Sequence, residues 1–534
     1  MGNVPPSPDW DEAALGYNAY SIIHTGRDEY GKFMPIILRS FDDYKPALYT
    51  YLVIPTISVF GLNTFAVRLP SAIFGTLTVL AVYFLIEELL IKKKLHDSFD
   101  RWIPFFSAFF LAVSPWHLQF SRIAFESNVG LSLNVFGSLF FLKGLKKPWL
   151  LFVSVVCFAG AIYVYQSEKV FTPLLVFVLL ILFHRELWAL PRKYIVLPIL
   201  LGLLLIFPMV FVTLTDKQAL ARARGVSVFS DTTQLLQQNV ARYAASKNAH
   251  DQLGALLNNR RVIFAQTVVA NYLSHFNLNW LFISGDIARH HAPNMGLLYL
   301  YEFPLILIGI HRLFAGGWDK RSKWFLALWF LLAAVPASIT SGVPHAVRTL
   351  NFLPIYPLFS ALGAVALIQM FKHQRHSIVS RTISYLACIG LFLFAIINTG
   401  YYFDQYFVQQ NYENAKEWQF GYKEAVDSVQ RISKNYKKIV VSNQPYMDQS
   451  YMFFLYYLQY PPQQYQQESM RASGGFRENH SFGKYEFRPI HWADEKSDPS
   501  VLYVGRPEDF PAGYSEIDSV HFPDGMKAMV IAKK

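Results

Sequence analysis

The sequence predicts a mostly α-helical, polytopic membrane bundle with outer juxtamembrane helices and a small C-terminal α/β domain. Composition carries the first half of that reading. Of 534 residues, 53% are hydrophobic and only 16% charged, against roughly 25% charged in soluble domains. Distribution carries the second half. The apolar residues gather into runs of membrane-spanning length, and the basic residues gather in alternate loops between them. Disorder, collagen and disulfide scaffolds are excluded by the same composition. The two cysteines, Cys157 and Cys388, lie in apolar runs and read as small core residues.

A helix crosses the hydrocarbon with about 20 mostly apolar residues. Ten runs approach or reach that length: 66–90, 103–118, 128–145, 149–165, 170–184, 194–214, 297–313, 323–341, 350–371 and 382–402. Lys92 to Lys94 with Arg101, Lys143 with Lys146 and Lys147, Arg185 to Lys193, Arg312 to Lys323, and Lys372 to Arg381 supply seventeen basic residues to one set of loops. The alternate short loops hold Arg122, Lys169 and Arg348. Basic loops stay cytoplasmic, so the rich set is inside. This asymmetry accounts for much of the net charge of +11, and no nucleic-acid partner is needed. Segment 262–283 is apolar too, but counting it as a span would break the alternation. It also carries Asn271, His275, Asn277 and Asn279. It reads as a helix lying on the outer interface.

Residues 1–65, 214–296 and 403–534 then share the outer face. No apolar leader precedes residue 1, so a first transmembrane helix is expected to be missing from the chain. Residues 9–25 have helical periodicity. Asp9 or Asp11 can cap that helix and Glu12 suits its positive end. Capping is one use of these acids; meeting a substrate at the membrane surface is the other. Residues 41–60 read as a second short helix, with Pro46 in its first turn. There Asp43 and Lys45 precede the apolar stretch, and Lys45 either snorkels to headgroups or pairs with a lipid phosphate. In 114–128, Arg122 and Glu126 stand four apart, share a face if helical, and form either an ion pair or a ligand contact. Glu168 and Lys169 lie in a loop at 165–169, and His345 and Arg348 in a loop at 341–354. Glu302 sits inside the outer end of a span, where ionisable groups face a cavity or a partner.

The adjacent His290 and His291 invite a metal reading. Neighbouring residues on a helix point about 100° apart and rarely co-ligate one ion, so no metal is assigned to them. The tail, 403–534, reads as an amphipathic helix at 411–435, strands at 437–443, 501–506 and 528–533, a buried helix at 449–460, and a loop around 474–485. Neither a Walker or Rossmann phosphate loop, nor GxSxG, nor HExxH is present.

These segments together carry a resemblance. WDEAALGYNAYSI, DYKPALYTYL, FAVRLPSAIFG, SPWHLQFSRIAFE, YVYQSEKVFTPLL and PHAVRTLNFLP occur in that order over residues 9–400. The chain resembles the polyprenyl-phosphate-sugar-dependent glycosyltransferases of the GT-C fold. It is most similar to bacterial members of the protein O-mannosyltransferase and aminoarabinose-transferase (PMT/ArnT-like) superfamily. The resemblance implies a GT-C domain over 1–402 and an extracytoplasmic α/β domain over 403–534. It implies inverting sugar transfer from a polyprenyl-phosphate donor to a hydroxyl of an acceptor protein or glycan, at a site facing outward from the plasma membrane. Asp11 is then the catalytic carboxylate and general base, and Glu12 its neighbour. Lys45 takes the donor phosphate, Arg122 or Arg348 assists, and Asp43, Glu126, Lys169 and His345 line the same phosphate site. No cofactor is required; a divalent metal beside Asp11 and Glu12 is compatible with that chemistry and not indicated by it. The residues suit the reaction on their own terms. Transfer from a lipid phosphate needs a base for the hydroxyl and cations for the departing phosphate. The competing readings are a lipid or sugar transporter and an inactive membrane subunit. A transporter keeps polar groups near the midplane, whereas these acids sit at one surface.

Overall fold

A computed structural model describes residues 1–41, 43–91, 98–216, 225, 227–229, 233–372, 378–469, 479–511 and 514–534. Each of the ten expected runs contains a helix. Among the described residues, four helices are individually long and apolar enough to cross a membrane: Thr64–Leu90, Lys193–Thr215, Leu350–Met370 and Tyr385–Glu413. The other runs hold shorter or more polar helices, among them Ile103–Val113, Glu126–Gly144, Leu150–Ile162, Glu168–Leu182, Glu302–Ala315 and Lys320–Leu332. The chain is mostly helical and embedded in a membrane. Lys92 to Lys94 and Arg375 of the basic loops lie outside the described residues.

Contacts divide the chain into two compact units. The first joins Met1–Ile73, Arg122–Phe125 and Tyr402–Lys534; the second joins Phe74–Ser121 and Glu126–Tyr401. The N-terminal segment therefore shares a unit with the tail.

In the first unit, helix α1 spans Trp10–Thr25. A hairpin follows, β1 (Ile37–Ser40) against β2 (Asp43–Pro46), antiparallel with Leu38 opposite Lys45. Helix α2 begins only at Leu48 and runs to Phe60. This corrects the helix expected from residue 41. Pro46 closes a strand, where its missing N–H costs no ladder bond at the strand end. The tail carries a six-stranded mixed sheet in the order β4-β5-β3-β6-β8-β7. Its strands are β3 (Lys438–Val441), β4 (His480–Phe482), β5 (Tyr485–Phe487), β6 (Val501–Gly505), β7 (Ser515–His521) and β8 (Lys527–Lys533). The expected loop near 480 is in fact the β4–β5 hairpin, and β7 is a strand the sequence reading missed. The expected 411–435 helix contracts to Tyr422–Ile432. Helix Ser450–Leu458 is buried as expected and packs on α1, where Tyr456 and Val67 leave Gly16 no room for a Cβ.

In the second unit, the 103–118 run is broken. One helix ends at Val113 and another spans Pro115–Arg122, because the residue before a proline is pushed out of helical conformation. That second helix stops at Arg122 and the next starts at Glu126, so the two do not share one helical face. Helices Glu302–Ala315 and Ile355–Lys372 pack with very close backbones. A Cβ on Gly309 would stand 1.9 Å from Phe359 O, and one on Gly363 would stand 2.1 Å from Leu305 O. The segment expected to lie on the interface, 262–283, holds a helix at Arg260–Ser274 followed by a wide turn at Trp280–Ser284.

Candidate active site

Helix α1 starts with a reciprocal cap. Glu12 N donates to Asp9 Oδ1 at 2.9 Å, and Asp9 N donates to Glu12 Oε2 at 3.3 Å. Asp9 is therefore the cap, and Asp11 is not. The two neighbouring acids have different surroundings. Glu12 is fully buried and receives both arms of Arg68, Nε to Oε1 at 2.8 Å and Nη2 to Oε2 at 2.7 Å. Ala124 N adds a third donor at 2.7 Å. With those positions filled, Glu12 holds the scaffold together. Asp11 keeps a partly exposed carboxylate at the helix start and forms an ion pair with Lys45 from β2.

Arg68 lies in FAVRLPSAIFG, near the start of an otherwise apolar run, and is not among the site residues the sequence reading names. A charge there needs a partner, and that was the available signal. Besides Glu12, it donates to the carbonyls of Met1, Pro5 and Ser7 at 2.7, 3.0 and 2.7 Å. Its guanidinium faces the ring of Trp418 at 5.7 Å. Ser7 Oγ donates to Trp418 O, and Trp10 N donates to Gln419 Oε1 at 3.0 Å. The N-terminal stretch, α1 and the start of the tail are thus tied at one point.

The far end of α1 is held by Asn18, whose Nδ2 donates to Glu29 Oε1 at 3.2 Å and whose Oδ1 accepts from Glu29 N at 3.0 Å. Burial pushes the Glu29 carboxyl up to about 8, against the lowering effect of Asn18. Arg122 lies over the rings of Tyr406 and Phe407 at 5.6 and 5.1 Å and reaches Val4 O at 3.4 Å. The backbone of Asp43 pairs with Ser40 in the hairpin; its side chain lies outside the described residues.

Asp11, Glu12, Lys45 and Arg122 thus belong to the first unit, whereas Glu126, Lys169, His345 and Arg348 belong to the second. There, Glu126 is buried at a helix start. Lys169 is half-buried without an ion-pair partner among the described residues. Arg348 Nη1 donates to Thr340 Oγ1 at 2.6 Å and Ser341 O at 2.7 Å. Glu168, beside Lys169, is a buried node: it accepts from Asn134 Nδ2 at 2.6 Å and from Asn351 Nδ2 at 2.9 and 3.1 Å. Glu302 has the partners its depth demanded, Ser360 Oγ at 3.0 Å and Tyr299 N at 3.1 Å. His345 N donates to His275 Nε2 at 3.2 Å, and its ring lies 5.1 Å from that of His290.

Residues 44–211 match the model of a family described as dolichyl-phosphate-mannose-protein mannosyltransferase. Those residues run from within β2, with Lys45, into the helix Lys193–Thr215. The chain is similar over 98% of its length to ArnT from Cupriavidus metallidurans, covering 93% of that chain. The apo structure matches at 11% identity with a TM-score of 0.50, and the structure bound to undecaprenyl phosphate at 11% with 0.51. The chain has the GT-C fold of the PMT/ArnT-like type. Within that fold, the short helix α1 and the hairpin precede the first long apolar helix, and the mixed sheet follows the last. No curated protein sequence matches the chain significantly.

Proposed function

We propose that the chain is an integral-membrane glycosyltransferase. It moves a sugar from a polyprenyl-phosphate donor to an acceptor hydroxyl on the outer membrane face, with Asp11 as general base. The observation that carries this reading is the Asp11–Lys45 pair, a carboxylate and an ammonium brought together by α1 and β2. Its support is the ArnT-type fold, one representative of which was solved with undecaprenyl phosphate. In the step, the Asp11 carboxylate takes the proton of the acceptor hydroxyl. The acceptor oxygen bonds to the anomeric carbon from the face opposite the phosphate. The bond from that carbon to the phosphate oxygen breaks, its electron pair leaves with the lipid phosphate, and the anomeric centre inverts. Lys45 has three N–H donors. It serves the leaving phosphate while staying beside Asp11, and Arg122 of the same unit supplies further positive charge. The lipid tail stays in the bilayer, so a soluble nucleotide pocket is unnecessary.

Asp11→Asn tests this directly. Asp9 holds the helix cap, so the substitution leaves the cap in place and removes only the proton acceptor. Turnover should fall about 10²–10⁴-fold, the usual loss of a general base, with donor affinity little changed. Lys45→Ala should instead weaken donor binding, because it removes a charge-assisted contact. Turnover and donor affinity measured on the same purified proteins, with a panel of polyprenyl-phosphate sugars and mass spectrometry of products, decide it. Near-normal turnover of Asp11→Asn removes Asp11 from the mechanism. Absence of turnover by the wild-type chain with every donor in the panel returns the transporter and inactive-subunit readings.

A further inference from the structure

We infer that Asp286, His290 and His345 form a zinc site in the second unit. One ligand atom from each lies within 4.8 Å of the other two. The histidine pair that looked unpromising in sequence contributes one member only, and the second imidazole comes from a loop more than fifty residues later.

The local backbone is built to present these groups. Gly285 turns the chain at φ 62° and ψ −157°, a conformation essentially reserved for glycine, and a Cβ there would stand 2.3 Å from the His291 ring. Asp286 follows directly. Its side chain is 7% exposed; Oδ2 accepts from Ala346 N at 2.7 Å and lies 3.1 Å from His290 Nδ1. Its other oxygen, Oδ1, is buried with no hydrogen-bond partner among the described residues. A buried, half-satisfied carboxylate is costly, and a cation beside it removes that cost. The backbone on either side is fixed as well: Gln119 Nε2 donates to Arg289 O at 2.5 Å, and His345 N donates to His275 Nε2 at 3.2 Å.

Two imidazoles and one carboxylate are a donor set for zinc, whose bonds to such atoms are about 2.0–2.2 Å. Tetrahedral ligands are then roughly 3.3–3.5 Å apart. His290 Nδ1 and Asp286 Oδ2, at 3.1 Å, stand just inside that separation, and with all three atoms within 4.8 Å of one another His345 has at most about 1.5 Å to close. The ion replaces the proton between His290 Nδ1 and Asp286 Oδ2. Three protein ligands leave a fourth position for water or an anion, as in sites where zinc meets a substrate. The ion joins the 286–291 turn to the 341–349 loop, which carries Arg348. The site stands whether or not the chain transfers sugars.

The test uses the full chain in detergent, stripped with a chelator and titrated with Zn²⁺, and with Co²⁺ as a spectroscopic probe. One ion per chain is expected, with the visible absorption of tetrahedral Co²⁺. His345→Gln and Asp286→Asn should each weaken uptake by more than the roughly 10–100-fold that outer-shell changes cost. His291→Gln, outside the ligand set, should retain it. X-ray absorption of the zinc-loaded wild type should show two imidazole nitrogens and at least one carboxylate oxygen, a readout that depends on no variant. No stoichiometric uptake by the stripped wild type, unchanged uptake in His345→Gln, or a first shell without two imidazoles would overturn the assignment.

Discussion

Asp11 and Glu12 are adjacent, yet one can be spared by the fold and the other cannot. Glu12 is enclosed with Arg68, and an ion pair this deep is unforgiving when one partner is lost. Glu12→Gln should therefore destabilise the protein by about 3–5 kcal/mol, while Asp11→Asn leaves the thermal midpoint nearly unchanged. Arg68→Met alone should be comparably damaging. The double variant should cost less than the sum of the singles, because neither then strands a charge. It should not return to wild type, since the carbonyls of Met1, Pro5 and Ser7 lose their donor. Thermal unfolding of the four proteins in one detergent measures the cycle. The acidic pair was visible in the sequence, as was Lys45. The division of labour within the pair was not, because it depends on an arginine 56 positions away. Asp286 escaped notice for a similar reason: its neighbour His345 lies beyond three intervening helices in the chain.

At the scale of elements, hydropathy found the helices and missed what interrupts them. The 37–46 hairpin hides in a stretch whose apolar residues suit a helix equally well, and β4 and β5 are three residues long. Strands that short show too little alternation to read. The break at Ser114–Pro115 was signalled by proline, which can also be tolerated inside a bundle. Glycine spacing in the apolar runs carried information of another kind. Gly309 and Gly363 face the backbone of the opposing helix, and neither backbone can yield cheaply. Gly309→Ala and Gly363→Ala should each cost about 1–3 kcal/mol, the usual range for overpacking. The pair together should cost less than their sum, because the first methyl already separates the helices. Thermal midpoints of the three variants check this.

For the whole molecule, the composition changes near residue 402, and the contact-defined units change over at Tyr402. Composition could not reveal that residues 1–73 cluster with the tail, because apolar content says nothing about which distant segments pack together. Orientation, by contrast, rests wholly on sequence. Cysteines placed singly at Lys94 and Arg375 should resist an impermeant thiol reagent in intact cells, and cysteines within 233–260 should react. The motivation is the asymmetry of basic loops. External labelling at Lys94 would reverse the topology and move the Asp11 site to the other side of the membrane.

The knot around Arg68 also has a timetable. Its partners at residues 1–12 leave the ribosome some four hundred residues before Trp418 and the helix at 450–458 that backs α1. Contacts so far apart in sequence form late, and chains are made N-terminus first. For most of its biogenesis the protein therefore carries a buried-type arginine and its carboxylate without the wall that shields them. The helix bearing Asp11 takes its final seat only after the tail is made, so a nascent chain stalled before the tail would hold α1 without the helix at 450–458 that backs it.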